Sequence, residues 1–371
     1  MSQIEFFGFG SIDNLNKILK IEKPKKVFLV TGKDSFEKCG AKKEINKILT
    51  YAKCKFNYFS DFSPNPKLQE IQRGYKQFRE SNYELIIGVG GGSSIDVSKA
   101  IKMFYFQDVQ KKIPLIAIPT TNGSGSEATY FIVYYKGKKK QSKGNQKITL
   151  PDYVICDSQF SMFLPKKIAA STGMDALSQA VESYWSINSN EESKKIAEKS
   201  IKLSINNLEK SVNNPSRKTR ENMMKAANLA GKVINITKTT ACHSISYPLT
   251  SYFNISHGHA VGLTLAEILV YNSQVSSANC LDKRGVNYVK KTINDLTILI
   301  GKNNPYEAKN KIQELMQNIG LETKLSQLGL KKEDINIIIK NVFKSERIKN
   351  NPRDLKKKNI KEILESIMYL E

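Results

Sequence analysis

Residues 85–96 read LIIGVGGGSSID, and this stretch decides the predicted fold. Its apolar first half is typical of a buried strand. The glycines then make a tight turn, and residues 93–106 show helical spacing. Glycine lets a backbone approach a pyrophosphate, and a helix N-terminus supplies N–H donors. The complete G-x-G-x-x-G pattern is not met, because position 93 is serine. The turn therefore predicts either a phosphate site or a plain strand-to-helix turn.

Two further strands are predicted on either side of this unit. Lys26–Thr31 is a short apolar run that ends at Gly32, and a helical segment follows to about Tyr51. Residues 114–119, PLIAIP, form the third predicted strand. Strands that alternate with helices pair in parallel. We therefore predict a Rossmann-like, doubly wound α/β domain over residues 1–162.

The later sequence predicts different elements. Residues 130–135 and 147–156 are predicted to pair as a hairpin around the basic turn KGKKKQSKGNQ. Beyond about Pro165 the apolar spacing becomes helical and strand signals are nearly absent. We therefore predict an all-helical second domain over residues 163–371. Its first predicted helices are 167–185, 191–212, 217–246 and 257–276, with a turn over 248–256.

The composition is that of a folded protein with an excess of positive charge. Hydrophobic residues make up 40% and charged residues 25% of the 371 residues, and the formal net charge is +23. Five cysteines without a C-x-x-C pair argue against a disulfide scaffold and a cysteine zinc site. No apolar run reaches the roughly 18 residues of a membrane span, and the N-terminus lacks a signal-peptide pattern. We expect a soluble cytoplasmic protein with no membrane partner.

The positive charge alone would favour binding to nucleic acid. However, 51 of the 58 basic residues are lysine, whereas arginine is preferred for bidentate contacts with phosphates and bases. The lysines are spread along the chain, and no helix-turn-helix, RNP or zinc-finger pattern is present. We therefore expect no specific nucleic-acid partner. The excess charge is interpreted as a lysine-rich solvated surface that could include a local anion-binding site.

A second loop strengthens the nucleotide hypothesis. Residues 119–129, PTTNGSGSEAT, follow a predicted strand and offer five hydroxyl groups. In open α/β sheets, ligands bind beyond the carboxyl ends of the strands. Two small loops rich in hydroxyls and glycine, both at such positions, favour a nucleotide site over ordinary polar loops.

The histidines indicate a metal. The chain has three, His243, His257 and His259, and all fall within 17 residues. Histidine is the commonest ligand of transition metals. Asp175 and Gln179 are a second candidate pair, because residues four apart share one helix face. The alternative for Asp175 is a carboxylate that interacts with a helix dipole.

Several motifs together resemble a known family. Residues 90–96 with Lys99, the run PTTNGSGSE at 119–127, TGMDAL at 172–177, and His243 with HGH at 257–259 match it in order and spacing. The chain is similar, over roughly residues 5–275, to the iron-containing (group III) alcohol dehydrogenases. The resemblance implies a dehydroquinate synthase-like architecture: a dinucleotide-binding domain, a helical domain and a catalytic metal in the cleft between them. It also implies a homodimer.

The resemblance implies the metal ligands and the proton donor. The ligands would be Asp175, Gln179, His243 and His257, although the family usually has histidine at 179. An amide oxygen is a harder donor, which favours Fe²⁺ and leaves Zn²⁺, Mn²⁺ or Ni²⁺ as alternatives. Tyr247 stands where many relatives have a proton-relay histidine, so the proton would come from Tyr247, water or the nicotinamide ribose. His259 is the other catalytic candidate, with a structural role as its alternative.

The resemblance also implies the dinucleotide contacts. After the first strand, NAD-specific relatives carry an aspartate, whereas this chain has glycine followed by lysine and, two residues later, serine. A missing carboxylate and an added cation favour NADP(H) over NAD(H). Lys140 is expected at the nicotinamide ribose, with Lys143 as the alternative. The remaining expected cofactor residues are Gly32, Lys33, Ser35, Gly91, Gly92, Ser93, Asp96, Thr120, Thr121, Ser124 and Thr129.

Within the family, two stretches are similar to the phosphonoacetaldehyde reductase branch, ESYWSINS at 182–189 and ISYPLTS at 245–251. The implied reaction is reduction of phosphonoacetaldehyde to 2-hydroxyethylphosphonate, so the expected partner is a small aldehyde or alcohol. Three alternatives stay open. The enzyme could act on another small alcohol or diol, be a metal-dependent lyase of the dehydroquinate synthase kind, or be a non-catalytic nucleotide- or nucleic-acid-binding protein.

Overall fold

The computed structural model describes residues 3–369. By packing, the chain divides into two compact units. One is Met1–Leu164 together with Pro215–Gly231, and the other is Pro165–Asn214 together with Lys232–Glu371. The predicted domains, 1–162 and 163–371, are each one continuous segment. They therefore do not account for residues 215–231, which pack with the first unit although they follow residue 163 in the sequence. As a boundary between folding domains, the division at residues 162 and 163 stays a prediction.

The first unit is built on a six-stranded parallel sheet in the order β1-β8-β5-β4-β2-β3. The strands predicted at 26–31, 85–89 and 114–119 are β2, β4 and β5, and the α/β prediction is confirmed. β6 and β7 form a separate antiparallel pair. The strands are β1 (Ile4–Phe7), β2 (Lys26–Thr31), β3 (Lys55–Phe59), β4 (Leu85–Gly90), β5 (Leu115–Pro119), β6 (Ile132–Lys136), β7 (Lys139–Lys143) and β8 (Tyr153–Cys156).

Helices cover both faces of this sheet, which explains why its central strands β2, β4 and β5 are almost entirely buried and mostly apolar. Successive strand residues point to opposite faces, so Leu29 and Ile87 enter one core cluster while Phe28 and Ile86 enter the other. The helices of residues 3–164 are α1 (Asn14–Glu22), α2 (Ser35–Lys38), α3 (Ala41–Tyr51), α4 (Leu68–Arg79), α5 (Gly92–Val109) and α6 (Gln146–Thr149).

The predicted hairpin of 130–135 with 147–156 is wrong. β6 pairs instead with β7, and Lys136 lies opposite Lys139 across a two-residue turn. Gly137 in that turn has φ +57°, which glycine adopts without strain. The later segment forms α6 and then β8, which joins the parallel sheet beside β5. The basic residues of 136–143 therefore lie on the ribbon itself and not in a long loop.

The second unit is helical, as predicted. Within residues 3–369, no strand follows β8, and no helix is both long and apolar enough to cross a bilayer. The remaining helices are α7 (Lys166–Trp185), α8 (Glu191–Asn213), α9 (Arg217–Thr237), α10 (Ala241–Phe253), α11 (His257–Ser273), α12 (Val286–Ile300), α13 (Pro305–Asn318), α14 (Ile335–Val342) and α15 (Lys357–Ser366). The first part of α9, up to Gly231, packs with the first unit.

Two predicted boundaries in this region are wrong. The predicted helix 217–246 is divided into α9 and α10, because Lys238 adopts the left-handed conformation with φ +57°. The predicted turn over 248–256 starts too early, because α10 continues through Pro248 to Phe253. A proline inside a helix lacks one main-chain hydrogen bond. Here Pro248 and Leu249 are both buried in the helix.

Candidate metal and dinucleotide sites

Three ligating side chains of the second unit meet in one place. Ligand atoms of Asp175, His243 and His257 all lie within 4.8 Å of one another. Asp175 is on α7, His243 is in the first turn of α10, and His257 is the first residue of α11. The rings of the two histidines are 5.4 Å apart between centroids. One carboxylate and two imidazoles are a donor set typical of iron, zinc or manganese sites.

His243 Nε2 provides the test of whether these residues fit a metal. This atom is buried and has no hydrogen-bond partner among the described residues. The nearest carboxylate oxygen, Asp175 Oδ1, is 3.4 Å away, which is too long for a strong hydrogen bond. A buried ring nitrogen left in this state requires an explanation, and coordination of a cation supplies one. The residues present therefore fit a divalent metal.

Glu182 holds His243 from the side opposite that atom. The Glu182 side chain is fully buried, and Oε2 pairs with His243 Nδ1. Oε1 accepts hydrogen bonds from Thr240 Oγ1 at 2.7 Å and from the N–H of Cys242 at 2.9 Å. Burial raises the pKa of Glu182, but its pairing with His243 and the hydrogen bonds from Thr240 and the main-chain N–H of His243 outweigh burial and hold the pKa below its usual value. An ionised Glu182 fixes the Nδ1–H tautomer, which leaves Nε2 free to ligate.

Sequence reasoning missed Glu182, although a signal exists. Asp175, Gln179 and Glu182 are spaced i, i+4 and i+7 on α7, so they share one face of a helix that is almost entirely buried. Three polar acceptors on one buried face indicate a polar site. Gln179 is 5% exposed and lies one turn from Asp175, and its role as fourth ligand stays a prediction.

Tyr247 lies next to one of the candidate ligands, and its catalytic role stays a prediction. Its ring stacks on His257 with 6.1 Å between centroids and an interplanar angle of 24°. Burial raises the pKa of Tyr247, while the charge of Arg347 partly opposes that effect. The phenol therefore stays protonated at neutral pH and can donate a hydrogen bond to the oxygen of a substrate.

His259 points to a different neighbour. Its Nε2 lies 2.7 Å from the main-chain oxygen of Glu322, and the side chain is 2% exposed. His259 is not in the group of Asp175, His243 and His257. This geometry matches the structural alternative that the sequence left open. A catalytic role for His259 stays a prediction.

The two predicted nucleotide loops are neighbours in the first unit. The N–H of Thr120 donates to the oxygen of Gly90 at 3.0 Å, which joins the ends of β5 and β4. A Cβ on Gly92 would lie 2.7 Å from Ser124 Oγ, and a Cβ on Gly90 would lie 2.4 Å from Ser94 Oγ. Gly91 caps α5 and has no side chain to cover the first N–H groups of the helix. The glycines therefore let the two loops pack closely, and the N-terminus of α5 has no side-chain cap, which is the kind of helix end that binds phosphate.

Two predicted cofactor residues have their polar groups engaged by the protein. The Asp96 carboxylate accepts hydrogen bonds from Ser126 Oγ at 2.5 Å and from the N–H of Val133 at 3.0 Å, and it pairs with Lys99 Nζ at 2.9 Å. The hydroxyl of Ser93 donates to the oxygen of Pro64. Ser93 still offers its main-chain N–H, whereas direct contact between Asp96 and a dinucleotide stays an untested prediction.

The remaining predicted cofactor residues lie in three places: on the β6-β7 ribbon, in the second loop and after β2. Lys140 pairs with Tyr135, and Lys143 pairs with the core residue Ile132 across the β6-β7 ribbon. The two lysines therefore lie on opposite faces of the ribbon, so they are not interchangeable. Thr120 and Thr129 are both 3% exposed, whereas Thr121 and Ser124 are half-buried. Gly32, Lys33 and Ser35 follow β2, and a Cβ on Gly32 would lie 2.2 Å from Ser35 Oγ.

Glu127 is a buried carboxyl group in the second loop. It is 3% exposed, and Asn228 Nδ2 lies 3.5 Å from its Oε1. Burial raises its pKa to about 7, although the hydrogen bond from Asn228 and the charge of Lys99 oppose the rise. The folded protein therefore holds this proton at pH values where the unfolded chain has released it. The contribution to stability is present below the usual value of 4.5 and is lost as the pH rises through about 7.

We expect Glu127→Gln to stabilise the protein mainly at high pH, because the amide removes the penalty of a buried negative charge. The gain in the free energy of unfolding should be about 2–3 kcal/mol larger at pH 8 than at pH 5. Urea denaturation at both pH values measures it, with the exposed Glu209→Gln as the control. An equal gain at both pH values would contradict the raised pKa.

Comparisons with known proteins identify the family of this chain. Residues 3–158 match the family described as iron-containing alcohol dehydrogenase, and residues 169–368 match its C-terminal domain. The NADPH-dependent butanol dehydrogenase of Clostridium saccharobutylicum is 28% identical over 98% of this chain and 96% of its own length. The phosphonoacetaldehyde reductase of Streptomyces viridochromogenes is 28% identical over 66% of this chain and 67% of its own length.

Solved structures share the fold. The sulfoacetaldehyde reductase of Bifidobacterium kashiwanohense, in complex with NAD⁺, superposes with a TM-score of 0.86. It is 28% identical and covers 100% of this chain and 98% of its own. The two profile matches together span most of the chain and include every residue of the ligand group. The chain belongs to the iron-containing alcohol dehydrogenase family and is an oxidoreductase.

Proposed function

We propose that this oxidoreductase is a metal-dependent, NADPH-preferring reductase of small anionic aldehydes. The observation that supports a bound metal is the group of Asp175, His243 and His257. In this group, His243 Nε2 lacks a hydrogen-bond partner among the described residues. When bound, a divalent metal would polarise an aldehyde oxygen as a Lewis acid, and a reduced nicotinamide would supply the hydride.

The protein's own contributions follow from the site. Glu182 keeps His243 in the tautomer that ligates. Tyr247, stacked on His257, donates a hydrogen bond to the substrate oxygen and so supports the negative charge that develops there. In the first unit, the N-terminus of α5 and the second loop, residues 119–129, bind the dinucleotide.

The proposed NADPH preference rests on the residues after β2. No carboxylate stands at Gly32, where one would repel a 2′-phosphate, and Lys33 adds a positive charge. Among the relatives, the butanol dehydrogenase is NADPH-dependent, whereas the sulfoacetaldehyde reductase was solved with NAD⁺. The family thus accommodates both cofactors, and the missing carboxylate at position 32 together with Lys33 favours the phosphorylated one here.

The proposed anionic substrate rests on Arg347. Its Nη1 donates to Thr239 Oγ1 at 2.9 Å, and its charge acts on Tyr247. A permanent cation therefore lies close to the tyrosine that stacks on His257. Two relatives, the phosphonoacetaldehyde and sulfoacetaldehyde reductases, act on two-carbon aldehydes with an acidic group. We assign Arg347 as the residue that binds this group, with phosphonoacetaldehyde as the leading substrate.

The test is NADPH oxidation with phosphonoacetaldehyde, sulfoacetaldehyde and butyraldehyde, repeated with NADH. Arg347→Met should lower kcat/KM for the anionic aldehydes about 10–100-fold, because a hydrogen bond to a charged group contributes about 1.5–3 kcal/mol. Butyraldehyde should change less than about threefold. Lys344→Met removes the same charge from an exposed position nearby and is the control.

Three results would contradict this proposal. Equal losses on anionic and neutral aldehydes would remove the role of Arg347. A wild-type preference for butyraldehyde would favour a neutral alcohol or diol as substrate. Absence of any net nicotinamide absorbance change with every aldehyde would favour the lyase alternative.

A further inference from the structure

A cavity of about 730 Å³ lies on the first unit. It is at the end of the sheet where β2, β3 and β4 begin, opposite the end that carries the glycine turn. Its walls are the last part of α1 and the segments around the ends of α3 and α4 that lead into β3 and β4, together with the start of β2. Six of its 15 lining residues are lysine, against 51 lysines in 371 residues of the whole chain. The fraction of lysine in the lining is therefore about three times that of the whole chain, so the lysines are not evenly distributed over the surface. The six in the lining are Lys20, Lys23, Lys25, Lys26, Lys53 and Lys55.

These lysines have few protein partners. Lys26 Nζ lies 4.9 Å from the centroid of the Tyr83 ring. Among the described residues, the structure gives the other five ammonium groups no ion pair and no side-chain hydrogen bond. Glu84 is the one acidic residue in the lining, and its carboxylate accepts the main-chain N–H of Lys25 at 2.5 Å. The cavity therefore carries a formal excess of five positive charges.

Helix ends do not account for this excess. α1, α3 and α4 end at or just before the cavity, and Lys23 and Lys53 adopt the left-handed conformation that ends a helix. A helix C-terminus carries roughly half a negative charge, so three ends offset about 1.5 of the five. More than three charges remain. Because like charges repel, the fold would be more stable with an anion between them.

We propose that this cavity binds a small polyanion with two or more linked phosphates. Several lysines around one cavity suit a chain of phosphates, because lysine binds phosphate as a point charge without a fixed geometry. The volume lies within the usual range of small-molecule sites. Tyr51 on the rim is 85% exposed, so its ring is available to stack on a nucleobase. The site is independent of the proposed reductase activity.

The experiment titrates tripolyphosphate, ATP and AMP into the full chain with NADPH present at saturation, so that the dinucleotide site is filled. Ionic strength is held constant, and calorimetry and the shift in Tm report binding. We expect saturable binding of tripolyphosphate and ATP, at least tenfold tighter than AMP. Saturable ATP binding that weakens with Tyr51→Ala identifies a nucleotide. Equal affinity for ATP and tripolyphosphate identifies the phosphate chain alone.

Matched variants separate a site from general charge. Lys23→Asn with Lys53→Asn removes two cavity charges and keeps residues that tolerate the left-handed conformation. Lys199→Gln with Lys218→Gln removes two exposed charges elsewhere. The cavity pair should weaken tripolyphosphate binding at least tenfold and the control pair less than twofold. Equal weakening by both pairs, AMP binding as tight as ATP, or no saturable binding by the wild type would overturn the proposal.

Discussion

His257→Ala should remove the bound metal and lower aldehyde reduction by about 10³-fold or more. Lewis-acid stabilisation by a metal contributes several kcal/mol, and each 1.4 kcal/mol corresponds to a factor of ten in rate. His257 is the first residue of α11 and is only half-buried, so its truncation does not open a core. Elemental analysis of the iron-loaded protein gives the metal content, and NADPH oxidation gives the activity.

The same variant should keep its affinity for the dinucleotide, because every residue expected to bind the dinucleotide lies in the first unit. Nucleotide titration followed by NADPH fluorescence provides this readout, and the Tm shows whether the variant is folded. A folded His257→Ala protein that keeps both its metal and its activity would contradict the assignment of the metal group. Loss of nucleotide binding together with metal would indicate a general defect in folding instead.

His259→Ala is the matched comparison, two residues further along the same helix. Because His259 Nε2 lies against the main-chain oxygen of Glu322, this change should lower Tm and leave the metal in place. Activity should fall less than about tenfold. A fall of 10³-fold with the metal retained would instead establish the catalytic role that the sequence suggested.

The parts of the fold that sequence predicted are those with strong local signals. The strands β2, β4 and β5 are apolar runs that end at glycine or proline, and the helices of the second unit follow their apolar spacing. The hairpin partner of β6 was missed because β7, KKQSK, has no apolar residue to mark it as a strand. Its pairing is set by the turn at Gly137, a local geometry that hydrophobic pattern does not report.

The residues of the candidate metal site also fall into those that the sequence identified and those that it missed. Asp175, His243 and His257 were identified through motifs, and the structure brings them together. Glu182 and Arg347 were missed because their roles depend on distant segments that meet only in the folded chain. Glu182 reaches the start of α10 about 60 residues away, and Arg347 reaches Thr239 from 108 residues away. Single-sequence patterns carry no information on such pairings, whereas the i, i+4, i+7 spacing on α7 was visible.

Lys99→Met should destabilise the first unit and weaken dinucleotide binding at least tenfold. Lys99 is fully buried, and its Nζ donates to the main-chain oxygens of Ser126 and Phe131 and pairs with Asp96. It thereby connects the second loop to α5. Removing one partner of a buried ion pair costs about 3–5 kcal/mol, because the other charge is left uncompensated. Thermal unfolding and NADPH titration measure the two effects.

The double variant Asp96→Asn with Lys99→Met separates charge from position. With both charges removed, no buried charge is left uncompensated. The free energy of unfolding of the double variant should therefore exceed that of Lys99→Met by about 1 kcal/mol or more. Dinucleotide affinity should stay low, because the loop has still lost the donor that fastens it. A double variant with wild-type affinity would show that Lys99 acts only by neutralising Asp96. Unchanged affinity in Lys99→Met alone would show that the loop holds its position without this lysine.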